Sequence, residues 1–413
     1  MSIVMSLVGV VTLLLIAFGL SNNRSAINWR TVGGAFAIQA SLGAFVLYVP
    51  IGKDILGGIS EAVSSVIGYA NDGIGFLFGD LAKFKVGFIF AINVLPVIVF
   101  FSSLIAVLYY LGVMQWVIRI IGGALQKALG TSQPESMSAT ANIFVGQTEA
   151  PLVVRPFIPT MTQSELFAIM TGGLASVAGS VLAGYAGLGV PLEYLIAASF
   201  MAAPGGLLMA KLMHPETEEP KQHMEDIGEP EDKPANVLDA AAAGASSGMQ
   251  LALNVGAMLL AFIGLIALIN GIIGWAGGLV GMEGLTLEVI LGYVFAPLAF
   301  LMGVPWEEAT VAGSFIGQKI VVNEFVAYVN FAPYINGEAL INGAVMTDRT
   351  QAIIAFALCG FANLSSIAIL LGGLGAMAPN RRHDLAKLGL RAVVAGSLSN
   401  LMSATLAGLF LSL

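Results

Sequence analysis

Eight apolar runs along the chain are long enough to cross a bilayer: 2–20, 32–50, 88–112, 166–188, 192–213, 246–273, 350–375 and 391–412. A helix rises 1.5 Å per residue, so about 20 apolar residues span the hydrocarbon layer. The pattern predicts eight transmembrane helices. The first run has no basic residue before it and no small-residue cleavage site after it, so it reads as a span and not as a cleavable signal. Residues 286–303 are too short for a firm span and suit the membrane interface.

Two stretches break the pattern. Residues 131–163 and 304–335 have apolar arms of about ten residues around polar turns, too short to span. They read as re-entrant hairpins, which a membrane tolerates only where they are buried in protein or line a watery cavity. Amphipathic surface loops are the alternative. Each stretch precedes a Gly/Ser-rich span, GGLASVAGS at 172–180 and CGFANLSSI at 359–367. Gly173 then aligns with Gly360, Ala175 with Ala362 and Ser176 with Asn363. A hairpin followed by a broken helix, occurring twice in opposite orientation, is the inverted repeat of secondary transporters.

Charge adds orientation. Only 10% of residues are charged, mean hydropathy is +0.88 and 57% of residues are apolar, which excludes a soluble protein. Arg24 and Arg30 follow the first run, placing that loop in the cytoplasm and the N-terminus outside. Eight crossings then put both termini outside and 12 of the 17 basic residues inside. The net charge of −8 is unsuited to nucleic acid. Most of it comes from residues 211–239, with three Lys and nine Asp/Glu, read as a solvated loop. There is one cysteine, Cys359, and no histidine in an apolar run, so neither a thiolate metal site nor a Ser–His hydrolase is expected. The chain reads as a non-enzyme. A channel would use similar broken helices but would not saturate.

Two acids sit deep in the interrupted stretches, Glu149 and Glu324. A carboxylate at mid-membrane costs about 2.5–3.5 kcal/mol, so each is a site candidate. The alternative is that each accepts the backbone N–H groups of a buried hairpin tip. Nearby lie Asn142, Gln147, Thr148, Ser176, Asn323, Asn363, Ser365 and Ser366, with only Arg155 and Lys319 as cations. An anionic substrate calls for an Arg or Lys cluster. Two carboxylates with amides and hydroxyls suit a neutral solute rich in OH and NH groups.

The segments VGQTEAPLVVRPF (145–157), NEFVAY (323–328) and CGFANLSSIAILLGGLG (359–375), with MQWVIR (114–119) and SFMAAPGGL (199–207), resemble the concentrative nucleoside transporter family, bacterial type. The resemblance covers nearly the whole chain. It implies an all-α polytopic membrane protein with eight spans, two oppositely oriented re-entrant hairpins and interfacial helices, assembled as a homotrimer in a bacterial inner membrane. Residues 1–130 and 246–285 would form a scaffold. Residues 131–213 and 286–413 would form a transport domain that moves like an elevator, with 214–245 the acidic cytoplasmic loop. The resemblance places Gln147, Thr148 and Glu149 at the nucleobase. It places Glu324, Asn363 and Ser366 at the ribose, with Phe361 packing in the pocket. Sodium would be held by the side chains of Asn142 and Ser176 and the carbonyls of Val145 and Val177, oxygen ligands suited to a hard cation. The implied function is sodium-driven symport of nucleosides, with no organic cofactor. Proton coupling through Glu149 or Glu324 is the alternative.

Overall fold

A computed structural model of the chain describes residues 2–83, 89–220 and 234–413. Part of the acidic loop, 221–233, and the start of the third apolar run, residue 88, lie outside the described residues.

The regular elements among the described residues are helices. In chain order they are α1 (Ser2–Gly19), α2 (Trp29–Leu47), α3 (Pro50–Phe78), α4 (Phe90–Asn93), α5 (Leu95–Tyr110), α6 (Val113–Leu129), α7 (Gln133–Ala141), α8 (Gln163–Ala175), α9 (Gly179–Gly187) and α10 (Leu192–Met213). The second part holds α11 (Val237–Leu279), α12 (Leu287–Leu301), α13 (Trp306–Val321), α14 (Glu324–Ile335), α15 (Asp348–Leu358), α16 (Ser366–Met377) and α17 (Arg382–Phe410). Six helical segments are long and apolar enough to cross a membrane, or seven if the pair α12–α13, bent by 116°, counts as one. α1 and α16 are shorter apolar helices.

Three differences from the apolar pattern have local causes. The run 350–375 is not one helix, because Cys359–Ser365 leave helical geometry between α15 and α16. Asn363 starts the second piece, its Oδ1 accepting from Ser366 N at 2.9 Å and from Ser365 Oγ at 2.7 Å. That local side-chain bond competes with the helical ladder. α11 begins nine residues before 246, capped by Asn236, whose Oδ1 accepts from Asp239 N at 3.0 Å. Its 43 residues extend about 65 Å, more than a bilayer requires. Finally, α3 and α6 are amphipathic helices with too many polar residues to appear as apolar runs. α6 buries Met114, Ile118, Gly122, Leu125 and Leu129, a stripe at helical spacing, and exposes Trp116 and Arg119.

Burial divides the helices. The spans Gln163–Gly187 and Leu192–Met213 are 94% buried, whereas the α11 span is 17% buried. The centre of the molecule is therefore α8, α9, α10 and α17, and α11 presents apolar side chains such as Leu260, Leu268 and Trp275 outward. Such a face is stable only against lipid or another chain.

Candidate functional site

Two interrupted units point at the centre. In the first, α7 opens with a capping box in which Ser132 Oγ accepts from Glu135 N at 3.4 Å and Glu135 Oε2 accepts from Ser132 N at 3.0 Å. α7 stops at Asn142, and a turn leads into a 3-10 segment, Ala150–Thr160. Pro151, Pro156 and Pro159 deny that segment the donors of a regular α-helix. In the second unit, α13 and α14 run back along each other, since Phe315 packs on Phe331 and Tyr334, and Asn330 Nδ2 donates to Gln318 Oε1. Between them Asn323 caps α14 by accepting from Val326 N at 2.9 Å. Glu324 is thus the first residue of a helix, where the N-terminal dipole favours a carboxylate.

A cleft of about 100 Å³ lies where these units meet. Gln147, Thr148, Glu149, Glu324, Phe361, Asn363 and Ser366 all line it. Asn323 and Ser365 join them, and α11 closes one wall with Leu251, Val255, Met258 and Leu259. A larger cavity of about 1440 Å³ shares Gly146, Glu149, Ala178 and Leu251 with the cleft and runs between α5, α6 and the first unit.

The two acids differ. Glu324 is buried, 4% exposed, and both of its oxygens are bonded. Oε1 accepts from Tyr185 OH at 3.1 Å and Oε2 from Asn363 Nδ2 at 2.9 Å. Glu149 is exposed, at the junction of cleft and cavity. Across the cleft Gln147 Nε2 donates to Ser366 Oγ at 3.3 Å, while Gln147 Oε1 is buried without a hydrogen-bond partner. A buried acceptor left open costs about 1–3 kcal/mol, so it is a place for a ligand N–H or O–H. Thr148 packs so closely on α16 that a Cβ at Gly373 would come within 2.7 Å of its Cγ2.

Asn142, Val145, Ser176 and Val177 are all buried. The turn after α7 is tied to the α8–α9 break by Gly179 N donating to Phe144 O at 3.0 Å. Asn142 and Ser176 both meet Gly172. A Cβ there would lie 3.3 Å from Asn142 Nδ2, and Ser176 Oγ donates to Gly172 O at 3.0 Å. Asn142 Oδ1 is buried with no hydrogen-bond partner. An open amide oxygen, a hydroxyl with free lone pairs and carbonyls freed by a helix break are a donor set for a hard cation.

Comparison with known proteins decides what this geometry belongs to. Residues 194–408 match the family model described as Na+ dependent nucleoside transporter C-terminus, and residues 8–81 match its N-terminus. Residues 91–192 match a model described as nucleoside recognition. The chain belongs to the Na+-dependent nucleoside transporter family. It is a multi-pass membrane transporter of nucleosides and not an enzyme. An uncharacterized transporter of Haemophilus influenzae is 64% identical to this chain, over 100% of it and 99% of the relative. The nucleoside permease NupC of Helicobacter pylori is 54% identical, over 99% and 98%. The solved structure of CNTnw in an inward-facing substrate-bound state superposes with a TM-score of 0.94 at 63% identity, covering 99% of this chain and 98% of that one.

Three contributors gain their roles only in the structure. Tyr185 is fully buried in α9, holds Glu324, and packs on Phe325 and Tyr328 with ring centroids 4.7 and 4.4 Å apart. Its only signal is a hydroxyl in an apolar run. Lys319 stands out in the sequence as a charge but not as a bonded group, and Asn400 not at all. Both are buried and hydrogen-bonded to each other.

Proposed function

We propose that this transporter is a sodium–nucleoside symporter whose substrate lies in the cleft between the two interrupted units. Gln147 and Glu149, with Thr148 through water or its backbone, take the nucleobase. Glu324, Asn363 and Ser366 take the ribose hydroxyls, and Phe361 packs beside them. Sodium, as coupled substrate, binds Asn142, Ser176 and the carbonyls of Val145 and Val177. The observation that carries this reading is the pairing of a fully braced carboxylate, Glu324, with the open Gln147 Oε1 on the facing wall. A carboxylate accepts two adjacent hydroxyls, and an amide both donates and accepts as a base edge requires. The chain's few cations near the cleft favour a neutral solute.

The finer architecture follows the same reading. Eight spans result when the broken pairs α8–α9 and α15–α16 each count as one crossing and α1 is included. The α7 and α13–α14 units are then re-entrant and oppositely directed, in an inverted repeat. Basic residues at Arg24, Arg30, Arg119, Arg381 and Arg391 support a cytoplasmic side that leaves both termini outside, in a bacterial inner membrane. The outward apolar face of α11 supports assembly, as a homotrimer, around a scaffold of residues 1–130 and 246–285. Residues 131–213 and 286–413 form the moving transport domain, with 214–245 as the cytoplasmic loop between. One inward charge at about −100 mV supplies about 2.3 kcal/mol. A tenfold sodium gradient adds about 1.4 kcal/mol, so one sodium supports accumulation of several hundredfold.

Uridine uptake into proteoliposomes tests the coupling. Uptake is expected to require an inward sodium gradient. Equal uptake in choline and sodium at fixed pH rejects sodium coupling, and uptake driven by a pH gradient alone points to protons.

A further inference from the structure

The two helix breaks touch. Phe361 N, in the α15–α16 break, donates to Ser176 O, in the α8–α9 break, at 3.1 Å. One buried side chain bonds both. Asn400 Nδ2, from α17, donates to Ala175 O at 2.6 Å and to Cys359 O at 2.9 Å. Its Oδ1 accepts from Lys319 Nζ at 2.6 Å, and that ammonium also donates to Ala357 O at 2.9 Å. The fit is close. A Cβ at Gly360 would collide with Asn400 Oδ1, and one at Gly396 would come within 2.9 Å of Leu174 Cβ and 3.2 Å of Ala362 Cβ.

Carbonyls at a helix C-terminus have no partner within their own helix, and buried ones must find one elsewhere. Here the last carbonyl of α8 and the carbonyl that follows α15 find the same amide. Lys319 fixes that carboxamide in turn, donating to Asn400 Oδ1 and to Ala357 O in the last turn of α15. Neither break can shift without moving the carboxamide that holds the other. Ser176 and Val177 lie in the first break, and Phe361 and Asn363 in the second.

We infer that Asn400, braced by Lys319, is the positioning residue through which sodium and nucleoside binding are coupled, because it makes the two breaks one unit. This rests on the assignment of sodium to the first break and of the nucleoside's ribose to the second. Coupling of two ligands is reciprocal and changes affinity by roughly 5- to 150-fold. Loss of a coupling residue lowers that factor. Loss of a merely structural residue weakens binding with and without sodium alike.

The test is uridine binding to the purified full-length transporter by calorimetry, in saturating sodium and in choline. The variants are Asn400→Ser and Asn400→Asp. The second keeps the size of the side chain and its partner Lys319 while removing both donors to the carbonyls. The wild-type ratio of dissociation constants is expected to be about tenfold or more. In either variant it is expected to fall below about threefold, with the value in choline little changed, and that binding also shows the variant is folded. An unchanged ratio in a variant that binds uridine overturns the inference. Asn142→Ala separates it from the underlying assignment. If that variant keeps the ratio while the Asn400 variants lose it, the sodium position is wrong and the coupling role stands. If Asn142→Ala loses the ratio and the Asn400 variants keep it, the coupling role fails alone.

Discussion

The two interrupted units each bring one acid to the cleft, yet they are prepared in opposite ways. The second unit is bonded before any ligand arrives. Glu324 is held at both oxygens, by Tyr185 and Asn363, and Lys319 is held by Ala357 O and Asn400. The first unit is left open. Gln147 Oε1 and Asn142 Oδ1 are buried without hydrogen-bond partners, and Glu149 faces the cavity. The difference divides the work. A braced carboxylate is preorganised for a diol and loses little freedom on binding. Open acceptors gain most when an ion or a base edge fills them. On the proposed assignment, ligand-dependent ordering belongs to the first unit and a fixed template for the sugar to the second, with Asn400 joining the two.

The largest expected effect comes from removing the template. Glu324→Ala strands the ribose hydroxyls and the donors of Tyr185 and Asn363. Initial uridine uptake is expected to fall at least a hundredfold, and normal uptake with an unchanged KM removes Glu324 from the site. Next is the open side. Asn142→Ala is expected to raise the half-saturating sodium concentration about tenfold or more in uptake assays, while uridine KM in saturating sodium changes much less. A shift in uridine KM alone would erase the division between the units.

A smaller effect sharpens the bracing. Tyr185→Phe deletes one oxygen from a packed ring and one hydrogen bond to a charged group, worth about 1.5 kcal/mol or more. Uridine affinity in uptake assays is expected to weaken about tenfold. A uridine analogue lacking one ribose hydroxyl is expected to lose less. Equal losses for both would mean that Tyr185 acts by packing alone.

The smallest effect lies outside the site, where α10 ends. Asn22 Nδ2 donates to His214 Nδ1 at 3.1 Å, which requires a neutral ring. Burial, with Arg391 and Lys211 nearby, holds the His214 imidazole below its usual value. A lowered histidine stabilises the fold fully above about pH 6.5, the ordinary value, and loses that contribution as pH falls toward the folded value. Tm is expected to drop between about pH 7.5 and about pH 5.5, with a smaller drop in His214→Gln. An identical drop in both rejects the histidine as its source.

Much of the site is legible because a membrane makes polar residues conspicuous. Glu149 and Glu324 stand out against apolar neighbours, and the motif segments bring Gln147, Asn363 and Ser366 with them. The break in 350–375 is legible as a Gly/Ser-rich patch, although its extent, Cys359–Ser365, depends on the Asn363 turn. Tyr185 is not legible, since a tyrosine in an apolar run is ordinarily a packing residue. Asn400 is not legible either, because its partners are carbonyls from α8 and from the end of α15, distant in sequence. α3 and α6 escape for a different reason: an amphipathic helix lying against the bundle has no bilayer-length apolar run.

By itself the sequence determined that the chain lives in a membrane, and it singled out two acids within its polar interruptions, because burying charge in hydrocarbon is costly wherever it occurs. Tertiary structure alone decided which of those acids is braced and which is open. It also decided that one asparagine joins the two breaks. A hydrogen bond depends on where distant backbone groups meet, and the order of residues does not state that.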